Sequence, residues 1–347
     1  RSVYPRLKPG VCRNLSNPSW PELVLSLPKK RGIQGDGRGR CRFVGLPSPN
    51  QETRGDKLGV TRVATAPTTI KFGTDGWRGV IAGDFTFDNV RRCAQAVATY
   101  LLKQGTSQQG IIIGYDTRFA SEDFAAACAE VLAGNGIPAF LCTRATPTPV
   151  ISYSVLTGKR AGAIIITASH NPGRWNGFKV KSPLGTSAPT DMIAKLEGYI
   201  GQISYPEQVK SMPLEKGISS GIISKVDLAP DYMVQVARLV DLEALRDAGL
   251  SIVIDSMFGA GAGYFKTLLD GGSTRALEID KERNPLFPGI ERPEPIDVNL
   301  KKLCAAVKRR KAHVGLATDG DADRVGVVDD KGNYLTPLQV FALLALY

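Results

Sequence analysis

A single serine follows a short run of apolar, mostly β-branched residues near the middle of the chain. The run spans residues 163–166, and the segment Thr167-Ala-Ser-His-Asn-Pro172 comes directly after it. Such a run is typical of a strand covered on both faces, and Asn-Pro followed by Gly173 ends it abruptly. We therefore expect Ser169 at the C-terminal end of a buried strand, where open α/β sheets bind their ligands.

A second group of reactive residues lies in the C-terminal part of the chain. There, Asp319, Asp321 and Asp323 occupy alternate positions after the apolar run at residues 314–317. In extended backbone, alternate side chains point to the same side, so three carboxylate oxygens would converge on one hard cation. A hydroxyl loop together with a carboxylate loop indicates metal-assisted phosphoryl transfer.

Each motif also has an alternative interpretation. Ser169 taken alone is more typical of a helix N-cap or a turn, and Lys179 is compatible with a solvated lysine at a strand edge. The adjacent His170 is poorly placed as a general base for Ser169, and no Gly-x-Ser-x-Gly elbow surrounds the serine, which disfavours acyl transfer. The acidic motif is not an EF-hand, since Arg324 stands where that loop requires glycine.

Composition indicates a globular protein outside the membrane. Apolar residues make up 43% of the chain, and no uninterrupted apolar stretch approaches the roughly 18 residues of a membrane span. The six cysteines form no Cys-x-x-Cys pair, which favours free thiols in a reducing compartment over disulfides or zinc. We therefore predict a cytoplasmic protein without a membrane partner.

The net charge of +11 is concentrated in residues 1–66, where 13 Lys and Arg residues stand against 4 Asp and Glu residues. The Pro, Gly and Arg content of this segment predicts a disordered extension. Only Tyr4, Trp20 and Phe43 could stack on bases, so nucleic-acid binding is poorly supported. An Arg-rich, acid-poor segment is also typical of a transit peptide, which would place the protein in the plastid stroma. A dispensable extension or a sequence-boundary artefact is the third interpretation.

From Ile70 onward, strands and helices are predicted to alternate. Strands are expected at residues 111–115, 139–142, 163–166, 252–255, 276–279 and 314–317, with helices between them. Residues 201–230, which contain Pro206 and Pro213, are predicted to form a linker. A last helix is expected after Pro337. This alternation predicts an α/β fold in which mixed, mostly parallel sheets lie between helices.

Four segments together resemble the α-D-phosphohexomutases, the phosphoglucomutase/phosphomannomutase group. They are Phe72-Gly-Thr-Asp-Gly-Trp-Arg-Gly79, Thr167-Ala-Ser-His-Asn-Pro172 with Asn176-Gly-Phe-Lys179, Asp255-Ser-Met-Phe-Gly-Ala-Gly261, and Asp319-Gly-Asp-Ala-Asp-Arg324. The resemblance implies tandem phosphohexomutase-type domains after the extension at 1–66. Domain I would span 67–204 with the phosphoserine loop, domain II 205–333 with the metal loop, and a truncated domain III would start at 334–347.

The resemblance also implies a role for each candidate residue. Ser169 would carry the phosphoryl group and, with Asp319, Asp321 and Asp323, would bind Mg2+. The remaining candidates would contact the substrate or assist phosphate and proton transfer, the lysine through a lowered pKa; they are Arg78, His170, Lys179 and Arg324.

The implied function is interconversion of hexose 1-phosphate and hexose 6-phosphate, of glucose, mannose or both. It would proceed through phosphoserine and a hexose 1,6-bisphosphate, which also primes the enzyme. The family's Gly-Glu-x-Ser sugar loop has no counterpart, because the sequence contains no Gly-Glu dipeptide, so impaired turnover is expected. The alternative is a non-catalytic remnant that binds a phosphosugar or Mg2+.

Overall fold

The first sheet has six strands of mixed polarity. The computed structural model describes residues 69–204 and 206–347, so the predictions for the basic segment 1–66 lie outside the described residues. The strands are β1 (Trp77–Val80), β2 (Ile111–Tyr115), β3 (Ala139–Cys142), β4 (Ala163–Ile166), β5 (Trp175–Lys181) and β6 (Ile223–Val226). Their order across the sheet is β1-β5-β4-β2-β3-β6. Strands β2, β3, β4 and β6 pair in parallel, and β5 pairs antiparallel with both neighbours.

Helices cover both faces of this sheet. They are α1 (Phe87–Gln104), α2 (Ser121–Gly134), α3 (Thr148–Thr157), α4 (Thr190–Gln202) and α5 (Leu214–Ser219). Ile164 and Ile166 of β4 pack into the core formed with α1, α2 and α4. Ala163 and Ile165 point the other way, into the core formed with α3. All four residues are 0% exposed, which is why this strand is apolar without a polar alternation.

The second sheet repeats this arrangement with five strands. Its elements are α6 (Ala229–Leu239), α7 (Leu242–Asp247), β7 (Ser251–Asp255), α8 (Tyr264–Leu269), β8 (Arg275–Ile279), α9 (Lys301–Arg310), β9 (Val314–Thr318), β10 (Val325–Val328), β11 (Tyr334–Leu335) and α10 (Pro337–Leu346). The strand order is β11-β10-β9-β7-β8. Val253 packs toward α9, whereas Ile252 and Ile254 pack toward α8. The prediction of an α/β fold with sheets between helices is confirmed.

The predicted linker at residues 201–230 is wrong. Strand β6 within it pairs in parallel with β3, with Ala139 opposite Ile223, so the first sheet extends past residue 204. The neighbouring helix α5 packs Leu214 and Ile218 against the core of the same sheet. Likewise, β11 at residues 334–335 pairs with β10 of the second sheet. The chain therefore passes from the first sheet to the second after β6, a short edge strand whose own sequence pattern is weak.

The two sheet units meet through a charged contact. Arg283 donates from Nη1 and Nη2 to the Glu122 carboxylate at 2.7 and 2.6 Å. Its Nε donates to the carbonyl oxygen of Thr117 at 3.0 Å, and Nη2 donates to that of Arg118 at 3.0 Å. A bidentate arginine fixes both distance and angle between the groups that it joins. Within the described residues, no helix is long and apolar enough to span a membrane.

The start of β4 leads to the first prediction. Gly162 has φ 145°, and a Cβ added there would lie 2.3 Å from the carbonyl oxygen of Lys181. We expect Gly162→Ala to lower the free energy of unfolding by at least about 2 kcal/mol, because backbone atoms of β5 would have to move. Chemical denaturation measures this change.

The matched control is Gly198→Ala, inside the exposed part of α4, where an added Cβ would meet nothing within 4 Å. That substitution should instead stabilise the protein by about 0.5–1 kcal/mol, since alanine is the better helix former. Equal unfolding curves for the two variants would contradict the assigned geometry of β4.

Candidate active site

Ser169 lies in the loop after β4, as the sequence predicts. It is 1% exposed, and its backbone has φ 51°, the left-handed region that costs a residue other than glycine of order 1 kcal/mol or more. The Ser169 amide donates to Thr167 Oγ1 at 2.8 Å. The Ser169 carbonyl oxygen accepts from Arg118 Nη2 at 2.6 Å. The loop is therefore held on both sides of the serine in a conformation that it would not adopt alone.

The three aspartates lie in a tight turn between β9 and β10. The turn passes through Ala322 at φ 54°, so the predicted extended backbone is wrong. Nevertheless, Asp319, Asp321 and Asp323 each offer a carboxylate oxygen, and these oxygens lie within 4.8 Å of one another. Asp319 Oδ1 accepts from the amides of Asp323 and Arg324 at 3.0 and 3.1 Å. The turn thus wraps around Asp319, and this is what brings the three side chains together.

The serine loop and the aspartate loop touch directly. Ser169 Oγ donates to Asp319 Oδ2 at 3.1 Å. A Cβ added at Gly320 would lie 2.5 Å from the Ser169 carbonyl oxygen, so only glycine permits this approach. The first sheet unit also holds the second aspartate, because Thr148 donates from its amide to the Asp321 carbonyl oxygen at 2.9 Å and from Oγ1 to Asp321 Oδ2 at 2.7 Å. Elements of both sheets therefore build one site.

Lys179 of β5 provides the positive charge beside the aspartates. It is 1% exposed, which excludes the solvated strand-edge alternative. Its Nζ lies 2.6 Å from Asp75 Oδ2, 2.8 Å from Asp321 Oδ2 and 3.7 Å from Asp323 Oδ2. Burial alone would lower the pKa of Lys179, but the Asp321 and Asp75 carboxylates raise it above its usual value. The expected lowered pKa is wrong for this arrangement, and Lys179 is held protonated.

The aspartates respond differently to the same surroundings. Burial and the carboxylates of Asp321 and Asp323 raise the pKa of Asp319. Burial acts in the same direction on Asp321, but the ammonium of Lys179 lowers its pKa below the usual value. Burial and the neighbouring carboxylates thus disfavour a negative charge on Asp319, and a cation bound between the carboxylates would offset that cost.

The residues present fit a Mg2+ ion. Asp321 Oδ1 is buried and accepts no hydrogen bond from the protein, a condition that is costly unless a cation or water satisfies the oxygen. The three carboxylates supply hard oxygen donors, which Mg2+ prefers over nitrogen or sulfur. Asp319, Asp321 and Asp323 are therefore the residues that would hold the metal, with the Ser169 oxygen beside them.

The other predicted residues surround this centre. His170 Nδ1 lies 3.4 Å from Ser169 Oγ, and burial together with the Arg324 charge lowers the pKa of His170. Arg78 Nη1 donates to Asn171 Oδ1 at 2.7 Å. Arg324 Nη1 donates to Glu294 Oε1 at 2.9 Å, and its side chain is 43% exposed. Both guanidinium groups lie at the edge of the site, where an incoming anion could pair with them.

Several residues of the site were not singled out from the sequence. They are Asp75, Asp116, Arg118 and Thr148. Asp75 lies inside segment 72–79, which carries the family resemblance. A charged residue in that segment is a sequence feature that could have indicated a place in the site. The other three residues contact partners that are distant in sequence, such as Thr148 with Asp321. No local sequence pattern predicts contacts of this kind.

Comparisons with known proteins show to which family this chain is related. The family model "Phosphoglucomutase/phosphomannomutase, alpha/beta/alpha domain I" matches residues 69–207, and the model for domain II of the same family matches residues 230–332. Together these matches cover most of the chain. The protein belongs to the phosphoglucomutase/phosphomannomutase family. The proposed resemblance is thereby confirmed.

Individual relatives of the family show how much of such proteins this chain represents. A phosphoglucomutase from Komagataeibacter xylinus is 29% identical over 82% of this chain and 54% of its own length. A phosphoglucosamine mutase from Desulforamulus reducens is 32% identical over 79% of this chain and 59% of its own length. The chain thus spans little more than half the length of these relatives.

The fold of the family is also found in solved structures. A protein from Thermus thermophilus, assigned as a phosphomannomutase, superimposes with a TM-score of 0.72 at 35% identity. The superposition covers 81% of this chain and 62% of that protein. The tandem arrangement of the two sheet units is therefore shared with that phosphoglucomutase/phosphomannomutase family structure.

The contact between Thr148 and Asp321 leads to the second prediction. We expect Thr148→Val to weaken Mg2+ binding about tenfold, because a lost hydrogen bond to a metal ligand typically costs about 10–100-fold in affinity. Isothermal titration calorimetry measures the affinity. Thr157→Val is the control, since that hydroxyl donates to the Tyr153 carbonyl oxygen in the exposed part of α3. Equal Mg2+ affinity in both variants would contradict the role of Thr148.

Proposed function

We propose that this protein carries the phosphoryl-transfer centre of a phosphohexomutase. The observation that carries the proposal is the 3.1 Å contact between Ser169 Oγ and Asp319 Oδ2, with Lys179 and two further aspartates beside it. A hydroxyl that accepts a phosphoryl group needs positioning and charge stabilisation more than it needs a strong base. Family membership supports the same conclusion. The chain spans little more than half the length of the relatives named above. The full conversion of one hexose phosphate into the other is therefore proposed together with the phosphoryl-transfer centre.

The proposed reaction interconverts hexose 1-phosphate and hexose 6-phosphate, of glucose, mannose or both. Phospho-Ser169 would give its phosphoryl group to one end of the sugar, and the resulting hexose 1,6-bisphosphate would return a phosphoryl group from the other end. The same bisphosphate would prime the unphosphorylated protein. Glucosamine phosphate is the competing substrate class, since phosphoglucosamine mutases are among the relatives.

Each residue has a definite task in the step that phosphorylates Ser169. The bond between phosphorus and the sugar oxygen breaks, the bond to Ser169 Oγ forms, and the departing sugar oxygen takes up a proton. Lys179 is suited to donate that proton, because the surrounding carboxylates hold it charged. The hydroxyl proton of Ser169 passes to His170, whose Nδ1 lies 3.4 Å from Ser169 Oγ and whose lowered pKa keeps the ring neutral.

The cationic groups at the edge of the site would hold the phosphates. Arg78 and Arg324 present guanidinium forks, which match two phosphate oxygens at once. His170 would assist proton transfer at the Ser169 oxygen, which lies 3.4 Å from its Nδ1. Asp319, Asp321 and Asp323 would hold Mg2+, which when bound offsets the negative charge on phosphate oxygens.

The third prediction concerns the phosphoryl acceptor. Incubated with glucose 1,6-bisphosphate and Mg2+, the chain should gain one phosphate at Ser169, and Ser169→Ala should abolish the gain. Intact-protein mass spectrometry with peptide mapping measures both. Ser154→Ala is the control, because that hydroxyl donates to the Val150 carbonyl oxygen inside α3. Phosphate that persists in Ser169→Ala would refute the assignment, and phosphate without turnover of any hexose phosphate would favour the non-catalytic alternative.

The fourth prediction concerns the metal ligands. Asp321→Asn should lower the Mg2+ affinity and the rate of Ser169 phosphorylation by at least about tenfold, because a charged ligand becomes neutral. Thermal unfolding should show that the protein still folds. Asp330→Asn, an exposed position in the turn after β10, should change neither quantity. Unaltered Mg2+ dependence in Asp321→Asn would show that the loop is a turn and not a metal site.

A further inference from the structure

Two oppositely charged residues are buried behind the phosphoserine loop. Asp116 and Arg118 follow β2 directly, and they are 1% and 0% exposed. Arg118 Nε donates to Asp116 Oδ2 at 3.0 Å. Removing such a pair from water is expensive, and its net contribution to stability is often nil or negative compared with apolar residues of the same size. Its presence therefore calls for an explanation other than packing.

The two terminal nitrogens of the Arg118 guanidinium donate to backbone carbonyl oxygens of one segment, residues 169–175. Nη1 donates to the carbonyl oxygens of Pro172 and Trp175 at 2.9 and 3.1 Å. Nη2 donates to the carbonyl oxygens of Ser169 and Asn171, both at 2.6 Å. Three of these acceptors lie in the loop from β4 to β5 that carries the serine, and the fourth, Trp175, is the first residue of β5. The guanidinium group thus organises the backbone of this loop.

Asp116 supports the loop from the other side of the serine. Its Oδ2 accepts from Thr167 Oγ1 at 2.6 Å, and Thr167 Oγ1 in turn accepts from the Ser169 amide at 2.8 Å. Its Oδ1 accepts from the Ser121 hydroxyl at 2.9 Å, so the first turn of α2 fixes the carboxylate. The ion pair therefore reaches the amide of Ser169 through Thr167 and its carbonyl oxygen through Arg118.

The second sheet unit holds the ion pair in place. The ring of Phe287 lies against the Arg118 guanidinium, with its centre 5.2 Å from Cζ, and Phe287 is 1% exposed. Arg283 Nη2 donates to the Arg118 carbonyl oxygen at 3.0 Å. The residue that shapes the serine loop is thus anchored by the unit that supplies the aspartates. This arrangement ties the position of Ser169 to that of Asp319.

We propose that the buried Asp116–Arg118 pair is a positioning element that holds Ser169 in its left-handed backbone conformation, with Oγ directed at the Asp319 carboxylate. The inference rests on the proposed function, because it assigns the pair to Ser169 phosphorylation. Neither residue touches the phosphoryl group. Loss of the pair should misplace the hydroxyl while leaving Mg2+ binding and substrate binding nearly unchanged.

The test uses Arg118→Lys and Arg118→Met, with Arg160→Lys as the matched control. Arg160 precedes β4 and lies over the Phe140 ring of β3, outside the proposed site. Single-turnover phosphorylation of Ser169 by glucose 1,6-bisphosphate should slow about 100-fold in Arg118→Met, as expected for a displacement of about 1 Å. Arg118→Lys should be intermediate, since lysine keeps the charge but not the fork. The half-saturating bisphosphate concentration and the Mg2+ affinity should stay close to those of the unaltered protein.

Hydrogen exchange supplies a readout that does not depend on activity. In both Arg118 variants, the Ser169 amide should exchange about tenfold faster or more, as expected when hydrogen bonds from a charged group to the loop are lost. Amides of β2 and α1 should keep their protection. Thr167→Val removes the hydroxyl that links Asp116 to the Ser169 amide and keeps the side-chain volume. It should slow phosphorylation in the same way, and it tests the inference if the Arg118 variants do not fold.

The outcomes separate the two proposals. If the unaltered chain takes up no phosphate, the proposed function fails, and the exchange measurement still decides whether Arg118 holds the loop. If the unaltered chain is phosphorylated and the Arg118 variants match it in rate and in Ser169 exchange, the positioning role is overturned. If their half-saturating concentration rises with an unchanged maximal rate, the pair acts in substrate binding and the inference is equally wrong.

Discussion

Mutual repulsion among clustered carboxylates, two of them fully buried, is the constraint on which the rest of this structure depends. The Lys179 ammonium lies within 3.7 Å of carboxylate oxygens of Asp75, Asp321 and Asp323. Lys181 Nζ lies 3.7 Å from Asp75 Oδ1, and Asp319 and Asp321 are 0% exposed. Carboxylates that lose their water need cations or donors in return. The loops therefore hold their shape through amides directed at Asp319, a threonine directed at Asp321 and a lysine from another strand. A Mg2+ ion held by the carboxylates of Asp319, Asp321 and Asp323 would supply a further cation of this kind.

Close approach of two backbones is the second requirement. Gly320 faces the Ser169 carbonyl oxygen, and Gly173 faces Pro285, where an added Cβ would lie 2.7 Å from the carbonyl oxygen. At these two points any side chain would force the loops apart and lengthen the contact between Ser169 and Asp319. Together with Arg283, which links to α2, these contacts make the two sheet units a single support for the chemistry. Precise positioning of this kind accounts for a large part of the rate of phosphoryl transfer.

Sequence reasoning succeeded where the signal is local. Residues 163–166 form a buried strand because four consecutive apolar residues can be covered on both faces, and Ser169 follows at its end. The aspartate motif was also recognisable, although the reason for its convergence was wrong, since a turn through Ala322 and not extended backbone brings the carboxylates together. A left-handed residue other than glycine leaves little trace in sequence, because the surrounding contacts impose it.

The sequence could not reveal what depends on distant partners. The raised pKa of Lys179 comes from Asp75 and Asp321, which are far apart along the chain and meet only in the folded protein. The contacts of Arg118 could not be predicted from the sequence, because its acceptors are backbone carbonyl oxygens and every residue type has one. Strand β6 was missed because a four-residue edge strand is stabilised by its pairing with β3 and not by its own composition.

The most direct test of the central claim is 31P NMR of the chain phosphorylated at Ser169, recorded while Mn2+ replaces Mg2+. If the serine loop and the aspartate loop form one centre, the phosphoserine resonance should broaden severely at stoichiometric Mn2+, and excess Mg2+ should restore it. Asp330→Asn should behave in the same way, whereas Asp321→Asn should need far more Mn2+. A phosphoserine resonance that stays sharp at saturating Mn2+ would show that the phosphate and the metal occupy separate sites, which would contradict this account.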